Sequence, residues 1–213
     1  TKMIENLPNK IPVFPLSNAV FFPGTVLPLN IFEDRYIQLI NDCVRGNRMF
    51  GMIQPKNKIN KFPEVYSVGC LGKITSFNET SDKRFIISLS GIIRFKVIEE
   101  INTKKLYRIF KVDYSEFLVD LETEKSSVVN FDKNSLLQKI RLFFEKMNYP
   151  IRYSELNKLN LEQLISTVCM ISPFSVEEKQ KLIETIKIED KIKIFDEIIN
   201  FNLFEVEENK TVQ

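Results

Sequence analysis

The amino-acid sequence predicts an α+β fold, with a β-rich front half containing one embedded helix and a helical back half. Three observations carry this. Before Asp120 the apolar residues alternate at period two in short runs. Pro and Gly punctuate those runs at turns. Beyond Lys133 the apolar residues recur at i, i+3 and i+4, the stripe of an amphipathic helix.

Taken in chain order, Ile11-Pro12-Val13-Phe14-Pro15-Leu16 is an apolar run. Its prolines lack an N–H and so confine it to an edge strand or a strand end. Phe21-Phe22-Pro23-Gly24 is a turn signal, because Pro presets φ and Gly accepts a positive one. Residues 26–31 form a second strand, broken by Pro28. Asn30 with Glu33 is read as a capping box for a helix whose stripe is Tyr36, Leu39, Ile40, Cys43 and Val44, closed by Arg45-Gly46. Residues 49–54 and 65–77 are further strands.

The clearest strand covers residues 84–98. Phe85, Ile87, Leu89, Gly91, Ile93, Phe95 and Val97 lie on one face, and Arg84, Ser88, Ser90, Arg94 and Lys96 on the other. Gly91 in its middle predicts a bulge or sharp bend. The polar residues 78–83 make the preceding hairpin loop, and residues 106–118 complete a twisted sheet or small barrel.

Four helices are expected after that. One carries Leu136, Leu137, Ile140, Phe143, Phe144 and Met147 and ends before Pro150. Asn160 and Gln163 cap the next, which stops at Pro173. Ser175 and Glu178 cap a third, with Leu182, Ile183 and Ile186 inward, and a last one carries Ile192, Phe195, Ile198 and Ile199. The predicted organisation is a β-rich subdomain over 1–119, a charged connection over 120–133, a helical subdomain over 134–204 and a polar, disordered tail over 205–213.

Composition then narrows the chemistry. The 213 residues hold 30 Lys+Arg against 28 Asp+Glu, a net charge of +2. That balance is not the mark of a dedicated nucleic-acid binder. No apolar run approaches the roughly 20 residues of a membrane span. The N-terminal ten residues lack signal-peptide features, so a cytoplasmic location is expected.

The three cysteines, Cys43, Cys70 and Cys169, are read as reduced, buried thiols. There is no His, which removes Ser-His-Asp and Cys-His nucleophile systems and His-containing zinc sites. A four-cysteine zinc site would need one more Cys than the chain has. Neither a phosphate-loop motif nor G-x-S-x-G occurs. Ser154 with Lys158 is read as part of a polar loop, not a catalytic dyad. The paired acids Glu99-Glu100, Glu122/Glu124 and Glu207-Glu208 are read as solvated charges. No catalytic residue, metal or cofactor is expected.

Ile11-Pro12-Val13-Phe14-Pro15-Leu16-Ser17-Asn18 followed by Phe21-Phe22-Pro23-Gly24 resembles the opening of the Lon protease N-terminal (substrate-binding) domain family. Leu27-Pro28-Leu29-Asn30-Ile31-Phe32-Glu33-Asp34-Arg35-Tyr36 resembles its continuation. Phe50-Gly51-Met52-Ile53, Val68-Gly69-Cys70-Leu71-Gly72-Lys73-Ile74 and Gly91-Ile92-Ile93-Arg94-Phe95 resemble later blocks, in order. Ser172-Pro173-Phe174 and residues 178–184 resemble the helical portion of short bacterial members.

The resemblance implies a PUA-like β-barrel, then a helical bundle, in a stand-alone domain. It also implies substrate recognition, with ATPase and Ser–Lys peptidase chemistry belonging to separate modules that this sequence does not display. Arg35 and Tyr36 would anchor the embedded helix.

The expected function is therefore a non-catalytic module. It would bind unfolded or flexible polypeptide, or a protein partner, through apolar surface between barrel and helices and by edge-strand pairing. Phe21, Phe22 and Phe32 are the contact candidates. The alternative is an RNA-binding PUA-like module using Arg84, Arg94 and Lys96 along one strand face.

Overall fold

A computed structural model describes residues 4–122 and 130–211, with side chains over 5–122 and 130–205. The chain divides into two compact units, Thr1–Glu124 and Lys125–Gln213.

The first unit is a six-stranded sheet formed by β1 (Lys10–Pro15), β2 (Val26–Ile31), β3 (Met49–Ile53), β4 (Val68–Glu79), β5 (Phe85–Ile101) and β6 (Arg108–Asp113), with helix α1 (Asp34–Arg45) between β2 and β3. The strand order is β2-β5-β4-β3-β1-β6, and β6 pairs with β5 as well. The ladder therefore runs from β5 through β4, β3, β1 and β6 and returns to β5, leaving β2 attached to β5 alone among the described residues.

The prolines of the first run predict an edge strand or a strand end; β1 lies inside the sheet, with Pro15 as its last residue. Two short ladders make this tolerable for its prolines. Pairing with β6 covers Lys10 to Val13, and the parallel pairing with β3 covers Val13 to Pro15. The two overlap only at Val13, so neither proline sits within a long two-sided ladder.

β5 bends where Gly91 predicted it would. Gly72 pairs with Gly91 but Leu71 pairs with Ile93, so Ile92 is extra. A Cβ on Gly91 would come 2.0 Å from the Phe22 carbonyl oxygen, so only glycine lets the 22–25 turn approach. That turn is pinned by Gly91 N–H donating to Thr25 O and Gly24 N–H to Gly91 O.

Two element boundaries in this unit differ from those expected. Asn30 belongs to β2, and Glu33 is the N-cap of α1 without a side-chain capping bond; its carboxylate is taken by Arg35 Nε at 3.0 Å. The strand expected over 106–118 ends at Asp113, and Ser115–Leu121 is a 3-10 helix. This 3-10 helix contributes Phe117 to the core and brings Asp120 to β5.

Asp120 opens the expected charged connection. It is instead buried against Arg94, with side-chain exposures of 2% and 1%. Its carboxylate accepts from Arg94 N–H at 3.0 Å, Nε at 3.0 Å and Nη2 at 2.8 Å. Residues 123–129 of the expected connection lie outside the described residues, Glu124 among them.

The second unit is helical: α2 (Lys133–Lys146), α3 (Tyr153–Asn157), α4 (Leu161–Ile171), α5 (Val176–Glu184) and α6 (Ile188–Thr211). Asp132 caps α2, and both expected capping boxes form, Asn160 with Gln163 and Ser175 with Glu178. Leu136, Ile140, Phe143, Phe144, Leu164, Ile165, Leu182, Ile183, Phe195 and Ile199 make the core.

Ile186 does not face inward as expected. α5 ends at Glu184, which leaves Ile186 in the exposed turn before α6. The expected loop around Ser154 is the short helix α3. The tail read as disordered continues α6 to Thr211, since Glu205, Glu207, Glu208 and Lys210 are straight-chain helix formers with no Gly or Pro to stop them. No described helix is long and apolar enough to cross a membrane.

Candidate functional site

Of the contact candidates, the structure exposes one and buries two. Phe21 and Phe22 are each 1% exposed, whereas Phe32 is 63% exposed. The expectation for Phe21 and Phe22 is corrected: the turn they precede folds back onto Gly72 and Gly91, and burial of each stabilises the unit by about 1.5–3 kcal/mol. Phe32 follows the last residue of β2, its ring 5.8 Å from the Arg84 guanidinium.

The three basic candidates do not make one strip. Arg94 faces the 3-10 helix and is buried against Asp120. Arg84 pairs with Asp82 at 3.0 Å and Lys96 with Glu116 at 2.9 Å, both on the surface. The alternation expected along the strand slips at the Gly91 bulge, which is why Arg94 leaves the solvent face.

β2 offers the expected edge, but in a blunted form. Thr25 O accepts from Gly91 N–H, and antiparallel ladders alternate. The backbone groups of Leu27, Leu29 and Ile31 therefore point to β5, and those of Val26, Pro28 and Asn30 point to the open side. Pro28 has no N–H to give. An added strand would lose its central acceptor contact, the usual way edges are protected.

A stronger candidate lies on the other side of α1. The stretch Pro55-Lys56-Asn57-Lys58-Ile59-Asn60-Lys61-Phe62-Pro63 has proline at both ends and no apolar period, so it forms neither helix nor strand. Its base is closed by the Pro55–Val65 bridge, by Lys56 N–H donating to Glu64 O at 2.7 Å, and by Tyr66 N–H donating to Gln54 O at 3.0 Å.

Two arginines hold the loop to the sheet unit through its carbonyls. Arg35 Nη1 donates to Lys61 O at 3.3 Å and Arg108 Nη1 to Pro63 O at 2.7 Å. Each arginine is itself positioned by a carboxylate, Arg35 by Glu33 and Arg108 by a bidentate pair of 2.8 Å bonds to Glu100. Such forked, charge-assisted bonds fix direction as well as distance.

Tyr36 supports the arrangement from beneath. Its ring stacks on Phe14 at 3.7 Å between centroids, and the Arg35 guanidinium lies 4.6 Å above it. Burial raises the Tyr36 pKa above its ordinary 10.0, with Arg35 pulling the other way, so its hydroxyl stays a neutral donor near Pro15 O. Arg35 and Tyr36 thus do more than anchor α1.

Between the loop and α1 runs an open groove of about 240 Å³, lined by Leu16, Arg35, Tyr36, Lys58, Lys61 and Arg108 among others. On the loop, Ile59 is 90% exposed and Phe62 58%. The arrangement offers fixed guanidinium groups, exposed ammonium groups and bare apolar side chains. It can hold a ligand by contact and charge.

Sequence reasoning missed this loop. The signal was present: two apolar residues stranded in a Lys/Asn-rich, proline-bounded stretch have no core face to join. Among the described residues, no group of three or more Cys, Asp or Glu could hold a metal ion. Lys158, the second half of the dyad weighed above, lies at 3.3 Å from Glu155.

Residues 10–200 match the family described as the ATP-dependent protease La (LON) substrate-binding domain. Among curated proteins, the Lon protease of Anaeromyxobacter dehalogenans is 27% identical over 204 residues, 92% of this chain but 24% of that protein. The Lon protease of Flavobacterium johnsoniae is 28% identical over 186 residues, 84% of this chain and 22% of that protein. The chain thus spans about a quarter of the length of these relatives.

Two solved structures share the fold. The N-terminal domain of the Mycobacterium avium complex Lon protease superposes with a TM-score of 0.62 at 14% identity, over 90% of this chain and 98% of that one. A Lon N-terminal domain protein from Xanthomonas campestris gives 0.59 at 21% identity, over 86% and 95%.

Proposed function

The chain belongs to the family of Lon (ATP-dependent protease La) substrate-binding domains, and from that premise we propose that it is a non-catalytic module that binds flexible or unfolded polypeptide. The observation that carries the reading is the exposed apolar pair Ile59 and Phe62 on a loop held beside an open groove by Arg35 and Arg108. Phe32 is a further exposed contact on the same unit. The continuous ladder through β5, β4, β3, β1 and β6 supports reading the unit as a small barrel of the PUA-like kind, with the loop at its rim.

Apolar contact supplies the affinity in this mechanism. A loop whose ends are tied loses less freedom on binding than a slack one, and exposed aliphatic and aromatic side chains gain by leaving water. Pairing along β2 contributes little because of Pro28. The chain is assigned recognition alone, with no bond-making step of its own and a cytoplasmic site of action.

The test is fluorescence anisotropy with a labelled, permanently unfolded polypeptide. Half-burial of each side chain contributes about 1 kcal/mol, so the variant Ile59→Ser/Phe62→Ser is expected to weaken binding by roughly 30-fold. Undiminished binding by that variant, with the fold intact by circular dichroism, would remove the proposal.

A further inference from the structure

We propose that the 55–63 loop selects polypeptide segments in which acidic residues accompany the apolar ones; this rests on the polypeptide-binding reading above. The basis is an imbalance of charge around the groove. Residues 55–63 carry Lys56, Lys58 and Lys61 and no acid. Lys56 is matched by Glu64 at 2.6 Å. Arg35 is matched by Glu33, and Arg108 by Glu100. Glu33, the carboxylate among the groove-lining residues, is thereby committed to Arg35.

Lys58 and Lys61 are left over. Both line the groove, and among the described residues neither has a carboxylate partner. The Lys61 ammonium lies 5.8 Å from the Phe62 ring. Two uncompensated positive charges therefore flank two exposed apolar side chains. A ligand carboxylate placed there displaces no existing ion pair, whereas a ligand lysine or arginine would meet like charge.

The same cations could meet phosphates. A polypeptide fits better, because Ile59 offers no aromatic face for a base, Tyr36 is buried, and the groove wall otherwise mixes Leu16 and prolines with the amide and hydroxyl groups of Ser17, Asn57 and Asn60. Single-stranded nucleic acid is held chiefly by base stacking on aromatic platforms together with a basic channel.

The experiment uses the full chain and two labelled peptides of alternating Leu and Phe, one with Asp and one with Asn at the intervening positions. Exposed ion pairs are individually weak, so the Asp peptide should bind about 5-fold tighter at ~0.05 M salt. The preference should approach unity at ~1 M, where screening acts within roughly 3 Å. In Lys58→Gln/Lys61→Gln the difference between peptides should collapse.

Equal affinities, or a preference that survives that variant, would overturn the charge selectivity while leaving polypeptide binding intact. Failure of both peptides to bind would overturn both readings. Tighter binding of an oligouridylate than of the Asp peptide would overturn the choice of polypeptide as ligand.

Discussion

Asp120→Asn is the most revealing single change outside the groove. Asp120 and Arg94 are both almost fully buried, and three bonds of 2.8–3.0 Å tie the carboxylate to one arginine. The Arg94 guanidinium also lies 4.8 Å from the Phe117 ring, so the pair clamps the 3-10 helix onto β5. Replacing a carboxylate oxygen with an amide turns an acceptor into a donor facing a donor, and removes the negative charge set against a buried cation. Breaking a buried pair from one side costs about 3–5 kcal/mol.

At roughly 3–5 °C per kcal/mol, between the ranges for smaller and larger domains, that loss lowers Tm by about 9–25 °C. Differential scanning calorimetry on the purified variant reads this directly. The control is Arg94→Met/Asp120→Leu, which replaces the pair by apolar groups and should recover most of the loss, because the desolvation cost of both ions disappears with their attraction. A shift below ~2 °C for Asp120→Asn, against the several kcal/mol expected of a buried pair, would refute the clamp. So would a double variant no more stable than the single.

Two further predictions concern titrating groups. Cys43 and Cys169 have their thiol pKa pushed up to about 12, chiefly by burial, and Cys70 is raised by the same cause. All three should resist a thiol reagent until the chain unfolds, and fast labelling under native conditions would contradict this. Asp42 accepts from Lys105 Nζ at 2.9 Å and Tyr107 O–H at 2.8 Å, and those bonds, Lys105's first, hold its pKa below 3.8. A depressed folded value means stability that is present above the unfolded value and lost as pH falls through the folded one. Urea midpoints of the wild type and Asp42→Asn should therefore differ at neutral pH and converge in acid; a gap that widens in acid would reverse the sign.

Local signals in the sequence were reliable where one residue or a short period decides the structure. The Asn160 and Ser175 boxes, the Gly91 bend and the stripe of α1 could all be read because each depends on neighbours a few positions away. The misses depend on distant partners. Asp120 looked like part of a charged linker until Arg94, 26 residues earlier, claimed it. Phe21 and Phe22 stood as contact candidates beside a turn because nothing local announces that Gly72 and Gly91 leave room for that turn to pack inward.

Glu33 capped nothing because Arg35 competed for its carboxylate. The prolines of β1 indicated an edge strand or a strand end; Pro15 does end the strand, but nothing local reveals that β1 sits inside the sheet on two ladders that overlap at a single residue. The 55–63 loop was passed over for the opposite reason. Its apolar residues fit no pattern, and that misfit was itself the signal.

Hydrogen–deuterium exchange of the full chain, with and without saturating unfolded polypeptide, tests the binding surface most directly. Slower exchange concentrated in residues 55–66 and around Phe32 is the predicted result. Protection confined to α2 through α6, or none anywhere at saturation, would contradict it.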